Sequence, residues 1–202
     1  MKVMIAESSY PKDFYNMELD GLSVSSLLKT IGIENSVRLV LDLEHFHKAI
    51  EEAVDGEFNV FHLSCHGSDD GIALTDNTQP SWDEFVGAFQ NVKRAPPVLV
   101  MSSCCGAASG LSDAFKNQKN RPKIIIGSTD SLEYSEYAVA WSILYHRFQT
   151  GGLKRSVAKI ALQQITAVSH KSFVYRRWDD EGEKYLNYPG KNRTFEVQEV
   201  ES

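Results

Sequence analysis

The stretch that decides the fold is Val98-Leu99-Val100-Met101-Ser102-Ser103-Cys104-Cys105-Gly106, an apolar run that ends abruptly in two thiols and a glycine. It predicts a buried β-strand over Val98–Ser102, with Cys104 directly beyond its carboxyl end. An earlier stretch, Glu57–Ser64, has the same apolar character and is closed by Cys65-His66-Gly67. A thiol and an imidazole therefore follow two predicted strands.

The rest of the chain repeats this alternation of apolar runs and segments with helical period. Such a pattern predicts one α/β domain over residues 1–202, with a mostly parallel central sheet and crossover helices. The other predicted strands are Lys2–Glu7, Ser36–Leu41, Ile72–Leu74 and Lys123–Gly127. The predicted helices are Gly21–Ile31, Leu43–Val54, Trp82–Phe89 after a capping box of Ser81 and Glu84, one beginning at Leu111–Phe115, and two that Gly151-Gly152 separates. Ser8–Asp20 is predicted to be a long loop, and the polar residues 170–202 receive no assignment.

Composition and charge narrow the functional classes. The chain has 202 residues, of which 42% are hydrophobic and 24% charged, and its formal net charge is −6. That balance is ordinary for a protein with a real core. A chain with negative net charge offers no basic face to the phosphate backbone of a nucleic acid, so we expect no direct nucleic-acid binding. The average electrostatic field of such a chain is compatible with a mildly basic substrate.

The cysteines and the N-terminus bear on location. The apolar run at Met1–Ala6 is too short for a signal-peptide core or a membrane span. The chain contains three cysteines, an odd number without the spacing of a disulfide framework. We therefore expect a cytoplasmic protein with free thiols and no membrane association.

The ends of the two strands predict a catalytic site. Parallel sheets bind ligands in the crevice at the carboxyl ends of their strands, and neighbouring strands lie about 4.8 Å apart, so His66 and Cys104 can meet there. A thiol is the common nucleophile closest to ionisation at neutral pH, and an imidazole can accept its proton. Gly67 and Gly106 permit sharp turns, and the N–H groups of Gly67 and Cys104 form the predicted oxyanion hole.

The same two stretches resemble a known family. Phe61-His62-Leu63-Ser64-Cys65-His66-Gly67 and Val98–Gly106 look like the two motifs of the CHAT family, which belongs to the caspase-like cysteine peptidases together with caspases, separase, legumain and gingipains. Ile124–Ser128 resembles the family's next strand, and the helix that ends with Tyr145–Gly151 also fits. The likeness covers about residues 55 to 168 and includes the family order of His before Cys.

This resemblance implies a caspase-like sandwich and a cysteine endopeptidase that hydrolyses peptide bonds through His66, Cys104 and a thioester, without cofactor or metal. CHAT peptidases often work with a sensing partner, including in bacterial defence against phage. The resemblance therefore implies a protein substrate and a regulatory or sensor protein partner, in antiviral defence or another form of regulated proteolysis.

Two segments depart from the family patterns. Ser102-Ser103 stands where the caspase signature has Gln-Ala. After Ser128 the chain reads Thr129-Asp130-Ser131-Leu132-Glu133, where the CHAT pattern usually contains Trp. That segment resembles the loop that lines the pocket for the residue before the cleaved bond. Asp130 and Glu133 are therefore predicted substrate-binding residues that would select a basic side chain, and the alternative is that they cap the following helix.

Other assignments of the neighbouring residues remain open. Cys105 is the rival nucleophile, and Cys65 is interpreted as a small core residue. A zinc site made of the three cysteines and His66 is conceivable but lacks the usual Cys-x-x-Cys loop. His62 shares a strand face with His66 and is interpreted as a hydrogen-bonded core histidine.

Whole-chain alternatives also remain. The segment Ser8–Asp20, with its aromatic side chains, forms either a wall of the cleft or a surface covering. The main rival function is a catalytically inactive caspase-like module that binds proteins. A receiver-like or nucleotide-binding domain is disfavoured, because no glycine-rich phosphate loop and no acidic cluster follow the first strand.

Overall fold

The computed structural model describes residues 1–189, which form a mixed sheet covered by helices on both faces. The strands within this range are β1 (Lys2–Ser8), β2 (Glu34–Leu39), β3 (Val60–Gly67), β4 (Ile72–Ala73), β5 (Val98–Ser102), β6 (Ile124–Ser128), β7 (Phe173–Asp179) and β8 (Lys184–Tyr188). Their order across the sheet is β2-β1-β3-β5-β6-β7-β8, and the short β4 pairs with the end of β3.

The first part of the sheet is parallel. β1 pairs in parallel with both β2 and β3, β3 pairs in parallel with β5, and β5 with β6. β7 and β8 are added in antiparallel orientation at the far edge. The strand order reverses between β1 and β3, because the chain goes from β1 to one side and then returns to the other. This reversal places a crevice at the carboxyl ends of β1 and β3.

Helices cover the two faces. They are α1 (Pro11–Asn16), α2 (Asp20–Thr30), α3 (Leu43–Asp55), α4 (Trp82–Gly87), a 3-10 turn at Ala88–Asn91, α5 (Ser109–Lys116), α6 (Tyr134–Gly151) and α7 (Arg155–Ser169). Apolar side chains of α3, α4 and α5 pack on one face of the sheet. Those of α2, α6 and α7 pack on the other face. None of these helices within residues 1–189 is long and apolar enough to cross a membrane.

The central strands have continuous apolar runs because helices cover both faces of the sheet. In β1, Val3 and Ile5 face α2 and α6, whereas Met4 and Ala6 face α3. Side chains alternate between the two faces of a strand, so a strand buried on both faces must be apolar at successive positions. The prediction of a mostly parallel sheet flanked by helices is confirmed, and Val98–Ser102 has the predicted bounds.

One predicted loop and several predicted strand bounds were wrong. Ser8–Asp20 is not a plain loop, because α1 lies within it, begun by Pro11 at a position where its missing N–H costs nothing. β3 ends at Gly67 and not at Ser64, so His66 lies on the strand. β2 begins at Glu34, two residues before the predicted start.

The C-terminal region was left unassigned by the sequence. Residues 173–188 form β7 and β8, which extend the same sheet. The remainder of the segment 170–202 beyond residue 189 lies outside the described residues.

Candidate active site

His66 is held by groups from three sides. Its Nε2 lies 2.7 Å from Oδ2 of Asp13, a residue of α1. The ring of Tyr10 stacks on the imidazole at 4.3 Å between centroids and 15° between planes. The ring of Tyr134 meets it edge to face, and the Tyr134 hydroxyl is 3.4 Å from Nε2. The histidine side chain is still 36% exposed, so a substrate can reach it.

The contact with Asp13 assigns the two ring nitrogens. A carboxylate accepts a hydrogen bond, so Nε2 carries the proton that is donated to Asp13. Nδ1 then holds the lone pair in the neutral ring and is free to accept a proton from a thiol. Asp13 thus orients the imidazole.

Cys104 lies just beyond β5, at a sharp turn. The next residue, Cys105, adopts a left-handed conformation with φ of 55°, which is uncommon for a residue other than glycine. The turn is fixed because Cys105 N–H donates to Asp130 O at 3.1 Å, and Gly106 N–H donates to Ser103 O at 2.9 Å. The Cys104 thiol donates to the carbonyl of Leu132 at 3.7 Å.

The two predicted catalytic residues line the same cavity, of about 140 Å³. This cavity lies at the carboxyl ends of β1, β3 and β5, where the reversal of strand order places the crevice. Leu132, Glu133 and Tyr134 form its wall on the side of α6. Asp20, Ser64, Ser102 and Tyr137 also line it.

The backbone around the dyad is compatible with the predicted oxyanion hole. Cys104 N–H has no hydrogen-bond acceptor among residues 1–189. Gly67 lies opposite Ile72 in the β3–β4 ladder, but these two residues form a non-hydrogen-bonded pair. Ile72 N–H donates to Pro80 O, and the next residue after Gly67, Ser68, donates its N–H to Gly71 O. Bonded and non-bonded positions alternate in an antiparallel ladder, so the Gly67 N–H points away from β4. Both amides therefore remain available to a developing oxyanion.

The other two thiols are poorly suited to nucleophilic attack. Burial, followed by the neighbouring carboxylate of Asp69, raises the pKa of Cys105 to about 11. Burial and then the charge of Glu7 raise the pKa of Cys65 well above that of a free thiol. Since the thiolate is the reactive form, neither side chain is activated at neutral pH.

The predicted substrate-binding carboxylates occupy different places. Oδ2 of Asp130 accepts a hydrogen bond from Ser172 N–H at 2.7 Å, which ties the end of β6 to the start of β7. Asp130 is not among the residues that line the cavity of the dyad. Glu133 does line it, and it also stands at the N-cap of α6, where its N–H donates to Glu136 Oε2 at 2.8 Å.

Several residues of this site were not predicted from the sequence. Asp13, Asp20 and Tyr137 all line or support the crevice, yet each belongs to a segment with no motif of its own. The available signal was the polar and aromatic segment Ser8–Asp20, which directly follows the first parallel strand. Within that segment, Ser9 and Asp20 line the cavity, and Tyr10 and Asp13 contact the ring of His66.

The remaining candidates for a catalytic or metal-binding role lie outside the site. His62 is fully buried, and its Nδ1 lies 2.9 Å from the hydroxyl of Tyr145. Its Nε2 has no hydrogen-bond partner among residues 1–189 and lies 3.9 Å from Oδ2 of Asp20. Among the described residues, no group of three His, Cys, Asp or Glu side chains could hold a metal ion.

Comparison with known proteins gives matches at the level of structure only. No protein-family model and no curated protein sequence matches the chain. A secreted C11 cysteine protease from Bacteroides thetaiotaomicron, iotapain, is similar with a TM-score of 0.62 and 9% identity, over 87% of this chain and 66% of that chain. Caspase-1 from Spodoptera frugiperda is similar with a TM-score of 0.52 and 16% identity, over 83% of this chain and 76% of that chain.

A third solved structure, the complex of the RgpB pro- and mature domains from Porphyromonas gingivalis, is similar with a TM-score of 0.50 and 10% identity, over 82% of this chain and 42% of that chain. The chain thus spans just under two thirds of iotapain and less than half of the RgpB chain. At such identities the likeness is one of fold. The chain has the caspase-like fold, which in these neighbours is the fold of cysteine proteases.

Proposed function

We propose that this chain is a cysteine endopeptidase that uses His66 and Cys104. The observation that supports it best is the geometry of His66, whose Nε2 is engaged by Asp13 at 2.7 Å while the ring opens onto the cavity that Cys104 also lines. A histidine with a purely structural role would not need to line a cavity together with a thiol. The caspase-like fold supports the same conclusion at the level of the class.

The reaction proceeds through a thioester. His66 Nδ1 accepts the proton of Cys104, and Sγ attacks the carbonyl carbon of the peptide bond, forming a carbon–sulfur bond. The N–H groups of Gly67 and Cys104 stabilise the oxyanion. The carbon–nitrogen bond then breaks, and the leaving amine receives the proton from His66. Water attacks the thioester with His66 as the base, which releases the acid and restores the thiol.

The biological setting is proposed from the resemblance of the two motifs alone. We place the chain in the CHAT family, in the cytoplasm, with a protein substrate and a regulatory or sensor protein partner. It would act as an effector of bacterial defence or of regulated proteolysis. Co-purification of a partner whose addition increases cleavage at least tenfold would support this setting. Full activity of the isolated chain would contradict the need for a partner.

The function itself is tested with a thiol-directed probe and a peptide library. Cys104→Ala should abolish both labelling and cleavage, and Cys105→Ala should keep most of both, because Cys104 lines the cavity that contains the imidazole and Cys105 does not. His66→Ala should slow turnover on the order of a hundredfold or more, the usual scale of general acid–base catalysis. Labelling that does not depend on His66, together with no cleavage, would identify an inactive protein-binding module instead.

A further inference from the structure

The cavity of the dyad contains a buried hydroxyl whose proton has no acceptor. Tyr137 lies near the start of α6, and its hydroxyl oxygen is buried without a hydrogen-bond partner among residues 1–189. The ring is fixed in place, because it stacks on that of Trp141 at 6.0 Å between centroids and 16° between planes. Nearly all buried polar groups of folded proteins have a partner, so this hydroxyl requires an explanation.

The other hydroxyls that line this cavity are already engaged. The three serine hydroxyls donate to carboxylates: those of Ser9 and Ser64 to Glu7, and that of Ser102 to Asp20. The hydroxyl of Tyr134 lies 3.4 Å from Nε2 of His66. No Lys or Arg among the described residues lines the cavity. In this part of the chain, Tyr137 is therefore the lining hydroxyl whose proton remains to be donated.

Tyr137 and Cys104 are neighbours in the cavity. Both side chains line it. Burial raises the pKa of Tyr137 well above its usual range, and the next two causes both come from Cys104, through its charge and its side chain. The charge of Asp20 raises the same pKa less than Cys104 does. The phenol therefore keeps its proton at neutral pH and lies beside the sulfur as a donor.

Ionisation changes the groups that Cys104 can bind. As a thiol it donates its proton to the carbonyl oxygen of Leu132 at 3.7 Å. A thiolate has no proton to give to that oxygen, and it is a strong acceptor because it is charged. The free proton of Tyr137 suits this new acceptor, which explains why the hydroxyl has no partner while the sulfur is a thiol.

Such a donor is needed because the rest of the cavity opposes a negative sulfur. Asp20 and Glu133 bring two carboxylates to its lining. Like charges and burial both disfavour a thiolate. The other titratable side chains that line the cavity are those of Cys65, His66 and Tyr134. Among these described groups His66 alone can become a cation, so a hydrogen bond from Tyr137 adds to its effect.

Resting on the proposed peptidase function, we propose that Tyr137 is a third catalytic residue, whose hydroxyl donates a hydrogen bond to the thiolate of Cys104. When Nδ1 of His66 takes the thiol proton, the sulfur turns from the carbonyl of Leu132 to the hydroxyl of Tyr137, which keeps its own proton. This hydrogen bond makes the thiolate more abundant at neutral pH. It also makes each thiolate a weaker nucleophile, because the nucleophilicity of a thiolate falls with its basicity.

The first test is the pH dependence of the alkylation of Cys104 by iodoacetamide, measured in a Cys105→Ala background. Tyr137→Phe keeps the ring and its stacking on Trp141 and removes only the hydroxyl. It should raise the pH midpoint of alkylation by about one unit or more, as the loss of a hydrogen bond to a charged group warrants. Below the midpoint the variant should react about tenfold more slowly, and above both midpoints at least as fast as the parent.

The matched control is Tyr145→Phe, the same substitution in the same helix. The hydroxyl of Tyr145 is also buried, but it lies 2.9 Å from Nδ1 of His62, and Tyr145 does not line the cavity. Its loss should lower the melting temperature and leave the alkylation midpoint unchanged. An unchanged or lowered midpoint in Tyr137→Phe, or an equal rise in both variants, overturns the proposal.

A second measurement uses the chain with Tyr137 in place. With ¹³C at Cζ of the tyrosines, the Tyr137 resonance should move with pH at the alkylation midpoint of Cys104, and this movement should be absent in Cys104→Ala. A resonance that does not move at that midpoint overturns the proposal. Neither test needs cleavage. A raised midpoint in Tyr137→Phe without any cleaved peptide means that the peptidase proposal alone has failed, whereas cleavage with an unchanged midpoint removes only Tyr137.

Discussion

At the scale of single residues, the site depends on how one imidazole is held. Tyr10 and Tyr134 fix the plane of His66 by contacts with its ring, and Asp13 fixes which nitrogen carries the proton. Asp13 is buried to the extent that its side chain is only 10% exposed, so its contact with His66 is weakly screened. A single carboxylate can therefore decide which ring nitrogen of His66 carries the proton.

Replacing Asp13 by Ala should lower kcat on the order of tenfold to a hundredfold and leave KM nearly unchanged. The imidazole would lose its preferred tautomer and orientation, and substrate binding does not use this carboxylate. The measurement is steady-state kinetics on the best library peptide. Asp13→Asn, which can still accept the hydrogen bond from Nε2–H, should recover part of the loss.

The matched control for Asp13→Ala is Tyr15→Ala in the same helix, because the Tyr15 side chain is 89% exposed. It should leave kcat unaltered. If Asp13→Ala raised KM with kcat intact, Asp13 would be a substrate-binding residue and the assignment of the ring nitrogens would need revision.

At the scale of elements, the end of β3 and the turn after β5 must approach closely. A Cβ atom on Gly67 would lie 2.6 Å from the carbonyl oxygen of Cys104 and 3.0 Å from Cβ of Ser103. Both of these contacts involve backbone or the short Ser103 side chain, so nothing there can move aside cheaply. The absence of a side chain at Gly67 is what allows the end of β3 to lie this close to the turn at Cys104, and the amides of these two residues form the proposed oxyanion hole.

Gly67→Ala should therefore push the turn at Cys104 away from β3 and reduce cleavage by at least about tenfold. Loss of one oxyanion donor alone typically costs a hundredfold or more in turnover, roughly 10² to 10³. Turnover and melting temperature should be measured together. Gly87→Ala is the control, since a Cβ there meets nothing within 4 Å and Ala favours the helical conformation. Wild-type turnover in Gly67→Ala would show that the close approach is unimportant.

At the scale of the whole molecule, the acidic crevice influences stability. Glu7 at the end of β1 is fully buried, and it accepts hydrogen bonds of 2.6 Å from both Ser9 Oγ and Gly21 N–H. Burial, opposed by the Ser9 hydrogen bond and reinforced by the charge of Asp20, raises the pKa of Glu7 from 4.5 to about 7. The protonated carboxyl is thus favoured in the native state.

The sign of the resulting pH dependence follows from this raised pKa. Below pH 4.5 both folded and unfolded states bind the proton, and the stabilising contribution of Glu7 is complete. Between pH 4.5 and 7 the unfolded state ionises first, so this contribution is lost as the pH rises, by about 3 kcal/mol in total. Relative to Glu7→Gln, the wild-type chain should lose free energy of unfolding between pH 5 and pH 8.

Urea unfolding of the two proteins at both pH values measures this difference. Glu57→Gln, which removes an exposed carboxylate, serves as the control and should show no such change with pH. A difference between wild type and Glu7→Gln that stays constant from pH 5 to pH 8 would mean that Glu7 is ionised throughout in the native state.

The sequence alone determined the layered sheet, the strand Val98–Ser102 and the positions of His66 and Cys104 at strand ends. Apolar periodicity and turn residues carry these features within a few residues of chain, so a local pattern is sufficient. The capping box of Ser81 and Glu84 was likewise visible from its spacing and is present. The catalytic roles of His66 and Cys104 stay a prediction until the variants are measured.

Only the tertiary structure decided which carboxylate stands beside which group. Asp13 reaches His66, 53 residues away, because β1 pairs with β3. Asp20 reaches Ser102, 82 residues away, because α2 packs on the face of the same sheet. Asp130 faces Ser172 because β7 adds to β6, in a region without a clear sequence pattern. Acidic residues lack the periodicity that would reveal their partners, since a carboxylate interacts with whatever donor the folded chain brings within about 3 Å.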